Sequence, residues 1–145
     1  MIRPFTLPDL DRILQIERQS FPKSPYDWGT FMNLYYLYPQ TFLVYVGETC
    51  DREEGRIPGY IIFSPEGHII SIAVHPQHRK KGIGRPLLQR AMEVSPKKKM
   101  WAEVRKSNQG AQTFYLRMGF QITGVVPNYY GNEDALIVQW GPTAR

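Results

Sequence analysis

Apolar positions along the chain fall into short unbroken stretches and into longer segments spaced for one face of a helix. His68 to Val74 is a run dominated by β-branched and apolar side chains, the pattern of a strand buried on both faces. Just downstream, Leu87, Leu88, Ala91 and Met92 line up on a single helical face. Pro86 is tolerated in a first helical turn, where its missing N–H has no intrahelical acceptor, so this helix is predicted to start near Gly84 or Arg85.

The same reading extends to both ends. Ile2 to Phe5 suits a short edge strand limited by Pro4, and Thr6 with Asp9 resembles a capping box ahead of a helix whose buried side carries Leu10, Ile13, Leu14 and part of Glu17 to Phe21. Pro22 and Pro25 break that helix, and Asp27 can cap a second one containing Phe31, Met32, Leu34, Tyr35 and Leu37, ending before Pro39. Thr41 to Val46 and Gly59 to Phe63 are β-rich and flank the polar segment Gly47 to Pro58, which predicts an antiparallel hairpin continuing through Glu66 and Gly67 into the central strand. Met100 to Val104 is a further strand, reached by a strand–helix–strand crossover that should be right-handed. A helix from about Asn108 to Met118 buries Ala111, Phe114, Tyr115 and Met118 and stops at Gly119. Phe120 to Val126 and Ala135 to Trp140 complete an order β-α-α-β-β-β-α-β-α-β-β, an α/β (mixed α+β) sheet with helices on both faces.

Length and composition bound this picture. With 145 residues the chain is one domain's worth and reads as a single domain over 1–145, large enough for a real core. Cys50 is the single cysteine and reads as a free thiol, in keeping with a reducing cytoplasm. No apolar run approaches membrane-spanning length, and MIRPFTLPDL lacks a signal-peptide core, so no membrane association is expected. The net charge of +5 gathers at Arg79 to Lys81, Lys97 to Lys99 and Arg105 to Lys106, which suits an anionic ligand without choosing between a cofactor and RNA.

The turn between the central strand and its helix carries the first chemical signal. Arg79, Lys80, Lys81, Gly82, Ile83 and Gly84 place three cations and two glycines before a helix N-terminus, where unpaired N–H groups and the helix dipole favour an anion. The spacing is neither GxxxxGK[ST] nor GxGxxG, which disfavours a nucleoside triphosphate loop and a dinucleotide fold. It is RxxGxG. With SIAV before it, then EVRKSN, a tyrosine seven residues after the asparagine, a following GF, and NYY, it resembles the GCN5-related N-acetyltransferases (GNAT) over nearly the whole chain. The second half looks most like ribosomal-protein alanine acetyltransferases and the catalytic subunits that acetylate protein N-termini.

The resemblance implies a splay between strands 4 and 5 that admits the pantetheine arm of acetyl-coenzyme A. It implies cofactor contacts from Ile72, Ala73 and Val74, with the Val74 N–H as oxyanion donor. Arg79, Lys80, Lys81, Gly82, Ile83, Gly84 and Arg85 would surround the pyrophosphate, and Asn108 would bond the cofactor arm while starting its helix. Amine acetylation needs a base for the amine proton and an acid for the departing thiolate, and Glu103 and Tyr115 suit these roles. A carboxylate in the apolar strand around Glu103 must find a cation, water or a raised pKa; the structural alternative is pairing with a residue such as Arg105. Tyr115 would also lie by the cofactor sulfur. For the acceptor, Tyr129 and Tyr130 form one wall and the Phe21 to Tyr26 loop, through Phe21, Pro22 and Tyr26, the other. His68, His75 and His78 lack a second ligand at metal spacing, so no metal is expected.

The expected activity is transfer of an acetyl group from acetyl-coenzyme A to a protein or peptide N-terminus, a ribosomal protein among the candidates, by direct attack in a ternary complex. The expected setting is cytoplasmic, with the enzyme a monomer or homodimer and no direct nucleic-acid role. Two rivals stay open: a small-molecule amine N-acetyltransferase, and a non-catalytic basic module that binds RNA or the ribosome.

Overall fold

The computed structural model describes residues 1–47 and 56–142. Cys50 and most of the segment between the second and third strands therefore lie outside the described residues. Among the described residues seven strands run β1 Ile2–Pro4, β2 Phe42–Tyr45, β3 Gly59–Phe63, β4 Ile69–Val74, β5 Met100–Arg105, β6 Gln121–Val126 and β7 Ala135–Trp140. Four α-helices join them: α1 Leu10–Ser20, α2 Trp28–Leu37, α3 Gly84–Val94 and α4 Gln109–Arg117. The predicted order holds throughout. Among the described residues no helix is long and apolar enough to cross a membrane.

Local chemistry explains the boundaries. The Thr6 N–H donates to Asp9 Oδ2 at 2.8 Å, ahead of α1. Asp27 Oδ1 accepts from Thr30 N at 2.9 Å and caps α2. Asn108 Oδ1 accepts from Ala111 N at 3.0 Å and caps α4, whose end is followed by Gly119 at φ +92°.

The strands form two sheets rather than one. β1-β2-β3-β4 is antiparallel throughout, and β5-β7-β6 places the last strand between the two before it. Among the described residues the sheets meet at one parallel bridge, His68 to Trp101, where Trp101 N donates to Gly67 O at 3.0 Å. Gly67 permits this approach: its φ is +108°, and a Cβ there would lie 2.1 Å from the Lys99 carbonyl oxygen. Beyond that point β4 and β5 diverge.

Helices cover both faces. Ile13 and Ile16 of α1 and Phe31 of α2 pack with Phe42 and Tyr60 on one side; Leu87, Leu88 and Ala91 of α3 pack with Ile61, Met100, Tyr115 and Phe120 on the other. Ile16 is fully buried although the helical spacing had singled out Ile13 and Leu14. β4 departs from the reading of a strand buried on both faces. Its burial alternates, with Ile70, Ile72 and Val74 only partly covered, because β4 borders an open cleft.

Candidate active site

The cleft is created by where the two sheets stop pairing. His75 N donates to Pro58 O at 2.8 Å, so in the antiparallel alternation Ala73 and Tyr60 exchange hydrogen bonds, whereas Val74/Gly59 and Ile72/Ile61 do not. The main-chain groups of Ile72 and Val74 therefore face away from β3, into the gap. The β3–β4 register also breaks between Ile62 and Phe63, whose partners are Ser71 and Ile69, leaving Ile70 unopposed as a bulge. Across the gap, Lys106 N bonds Asp134 O at 3.1 Å, and the same alternation turns the Glu103 main chain toward β4. The resulting cleft holds about 1270 Å³ and runs from the α3 N-terminus to the loop between α1 and α2.

At one end stands the glycine-containing turn. Arg79, Lys80, Gly82, Ile83, Gly84 and Arg85 line the cleft; Lys81 does not. Lys80 (φ +64°) and Gly82 (φ +74°) are both left-handed, the kind of backbone in which N–H groups can converge on an anion ahead of α3. Space beside Gly82 is open, with nothing within 4 Å of where a Cβ would stand. Arg79 braces the turn, donating from Nε to Val74 O at 3.1 Å. The Val74 carbonyl is thus occupied, and its N–H is the group left for a ligand. Unpaired strand edges, a left-handed glycine turn, a helix N-terminus and flanking cations fit an extended amide chain ending in a pyrophosphate, the form of coenzyme A. Asn108 borders the same cleft, and once Oδ1 has capped α4 its Nδ2 has no hydrogen bond among the described residues.

Midway along the cleft lie the titratable groups. Glu103 Oε2 sits 2.7 Å from His68 Nε2, and His68 stacks on Trp101 with ring centroids 5.2 Å apart and an 8° interplanar angle. Burial by itself would raise the Glu103 carboxyl, but the hydrogen bond and charge of His68 outweigh it and hold the pKa below the ordinary glutamate value. Arg105 is not its partner: that guanidinium pairs with Glu133 Oε1 at 2.9 Å and lies over the Tyr130 ring. Tyr115, on α4, is only 4% exposed, yet it borders the cleft. Burial and the nearby Glu103 charge push its phenol up, so it remains a protonated O–H donor.

Phe21, Pro22 and Tyr26 line the far end opposite Tyr130, whose hydroxyl donates to Glu103 O at 3.4 Å. Burial pushes the Tyr130 phenol up to about 12. Tyr129 is half exposed and outside the lining, but meets Tyr130 edge-on with centroids 4.9 Å apart. Thus β4, α3, β5, the start and body of α4, and the α1–α2, β4–α3 and β6–β7 loops bring together every expected site residue except Lys81 and Tyr129. Three groups that the residue patterns left without a role also bear on the site: His68 and Glu133, outside the lining but bonded to Glu103 and Arg105, and Glu17, which lines the cleft. A carboxylate on an apolar strand signalled that a partner existed, but its identity depends on the β4–β5 register.

Comparison with known proteins agrees with this geometry. The acetyltransferase (GNAT) family model matches residues 10–120. An N-alpha-acetyltransferase of Sulfurisphaera tokodaii is 34% identical over an alignment covering 94% of this chain and 90% of its own. The ribosomal protein bS18 alanine N-acetyltransferase of Escherichia coli strain K12 is 36% identical over 80 residues, covering 50% of this chain and 54% of its own. The crystal structure of Ard1 from Thermoplasma volcanium superposes with a TM-score of 0.82 at 26% identity, covering 96% of this chain and 95% of that one. With a splayed β4–β5 pair, a glycine turn feeding α3 and a family match spanning most of the sequence, the chain belongs to the acetyltransferase (GNAT) family.

Proposed function

We propose that the chain transfers the acetyl group of acetyl-coenzyme A to the α-amino group of a protein or peptide N-terminus. The observation that carries this is the one cleft in which Glu103 with His68, the Tyr115 hydroxyl, the free Val74 N–H and the walls at Phe21–Tyr26 and Tyr130 converge. Acetyl-coenzyme A, when bound, supplies an activated acetyl thioester. The Val74 N–H points where a carbonyl oxygen becoming negative can be received. Glu103, ionised and partnered by His68, takes the proton from the attacking amine, directly or through water, and Tyr115 delivers its proton to the departing sulfur. One proton leaves nitrogen and one reaches sulfur, so Glu103 and Tyr115 return to their starting states through solvent exchange.

A protein N-terminus suits this cleft better than a lysine. An α-amino group has a pKa of about 8 against roughly 10.4 for lysine, so neutral amine is more abundant at physiological pH. The cleft wall formed by Phe21, Pro22 and Tyr26 belongs to a loop whose two prolines, Pro22 and Pro25, restrict its backbone, which favours an extended peptide end over a long flexible stem. The name of the E. coli relative makes a ribosomal protein a specific acceptor to try. The cytoplasm, which holds both acetyl-coenzyme A and newly made N-termini, is the compartment this reading implies.

The test is thiol release from acetyl-coenzyme A in the presence of short peptides with varied free N-termini, spermidine, or RNA. Release with the peptides is expected. Release with spermidine alone would replace the acceptor class, and salt-sensitive RNA retention without any release would overturn enzymatic function.

A further inference from the structure

We propose that Glu17 is a positioning residue that fixes the acceptor wall of the cleft relative to the bulged part of β4, a role that rests on reading the Phe21–Tyr26 loop as that wall. Glu17 is 2% exposed, in the second half of α1. Its Oε2 accepts the Tyr26 N–H at 2.9 Å, and its Oε1 accepts the Tyr60 hydroxyl. The Tyr60 oxygen is in turn 3.1 Å from Ser71 Oγ. Ser71 directly follows Ile70, the unopposed residue of the β3–β4 bulge. One continuous line therefore runs from the bulge, through a β3 phenol and an α1 carboxylate, to the main chain of the loop.

The loop has few other ways to be held. Pro22 and Pro25 have no N–H to donate; the Phe21 N–H is used at 2.8 Å on Glu17 O to end α1, the bond formed within the loop is the 3.3 Å contact from Ser24 N to Phe21 O, and Arg105 Nη2 reaches Ser24 Oγ only at 3.5 Å. The Tyr26 amide, bonded at 2.9 Å, is thus its principal main-chain anchor, and the anchor point is a side chain whose partners among the described residues are neutral. A carboxylate buried on neutral donors is costly for the fold and is commonly replaceable by an apolar residue when stability alone is at stake. Burial also pushes the Glu17 carboxyl above its ordinary value, in spite of its donors. What Glu17 provides that a leucine cannot is a defined distance between Tyr26, which lines the acceptor end, and the β4 segment whose N–H groups face the gap.

The test combines amide hydrogen exchange with steady-state kinetics on the full chain. In the double variant Glu17→Leu/Tyr60→Phe, Tyr26 should exchange about tenfold faster while the amides of Ile61 and Ile62 keep their protection. The KM for an acceptor peptide should rise about tenfold, with the KM for acetyl-coenzyme A held within about twofold. Glu17→Gln should restore both readouts. Its carbonyl can still accept from Tyr26, and its NH2 can donate to the Tyr60 oxygen once that hydroxyl turns toward Ser71. Should the double variant not fold, Tyr60→Phe alone decides, since loss of one hydroxyl must also speed Tyr26 exchange. Unchanged Tyr26 exchange, or an equal rise in both KM values, overturns the role. If the wild type acetylates no peptide N-terminus, the functional reading fails, while the exchange data still decide whether Glu17 anchors the loop.

Discussion

Tyr115 and Glu103 divide the proton work of the proposed reaction, and their surroundings differ in a way that experiments can separate. Tyr115 is packed against Phe114 and Phe120, so Tyr115→Phe removes only a hydroxyl from a ring that stays seated. Turnover is expected to fall about 10²-fold, with coenzyme A binding and thermal stability nearly unchanged; steady-state kinetics beside calorimetry check this. Glu103 is held below its ordinary value of 4.5 by His68, so it is ionised throughout the neutral range. Its favourable contribution to folding is present above 4.5 and is lost as pH falls through the lowered folded-state pKa. Denaturant titrations of wild type and Glu103→Gln from pH 7 to pH 3 should therefore show a wild-type advantage at the upper end that disappears at the lower. In kinetics, Glu103→Gln should slow turnover without moving a neutral-pH limb, which belongs to the acceptor amine with its pKa of about 8. Glu103 and Tyr115 were singled out in the chain by its resemblance to the acetyltransferase family, Glu103 also because a carboxylate in an apolar strand needs a partner. Their partners were not, since His68 precedes Glu103 by 35 residues and meets it only through tertiary register.

At the scale of elements, β4 decides what the cleft can hold. Gly67 lets the start of β4 touch β5, and the chain then opens. Gly67→Ala would force a Cβ against the Lys99 carbonyl at a positive φ, and a loss of about 3 kcal/mol is expected by denaturant unfolding. The turn behind β4 behaves differently, because Gly82 has open space where its Cβ would be. Gly82→Val should leave the core packed but strain a left-handed residue and crowd the approach to the loop, so calorimetry should show coenzyme A affinity lowered by about tenfold or more. Unchanged affinity in a folded Gly82→Val protein would mean the pyrophosphate lies elsewhere. The strands and helices were readable because each has a local signature: apolar runs for β3 and β4, helical spacing and Asp27 or Asn108 caps for α2 and α4. The bulge at Ile70 was not, because Ile70 sits in an unbroken apolar run and its missing partner is a property of β3.

Across the whole molecule, two sheets joined among the described residues at the His68–Trp101 bridge leave a long cleft lined by the α3 N-terminus and by Tyr26 and Tyr130. The order of elements and the helices on both faces follow from local periodicity and short connections. The insertion of β7 between β5 and β6, the Arg105–Glu133 pair and the Glu17–Tyr60–Ser71 line do not, since each joins segments far apart in sequence whose meeting depends on the assembled fold. The cleft's geometry bears most directly on one question, which amine enters it. Two peptides of one sequence answer this when offered together: the first with a free N-terminus and an acetylated lysine, the second with a blocked N-terminus and a free lysine, with products followed by mass spectrometry. Faster acetylation of the first is the expected result; preferential acetylation of the second would contradict transfer to the α-amino group.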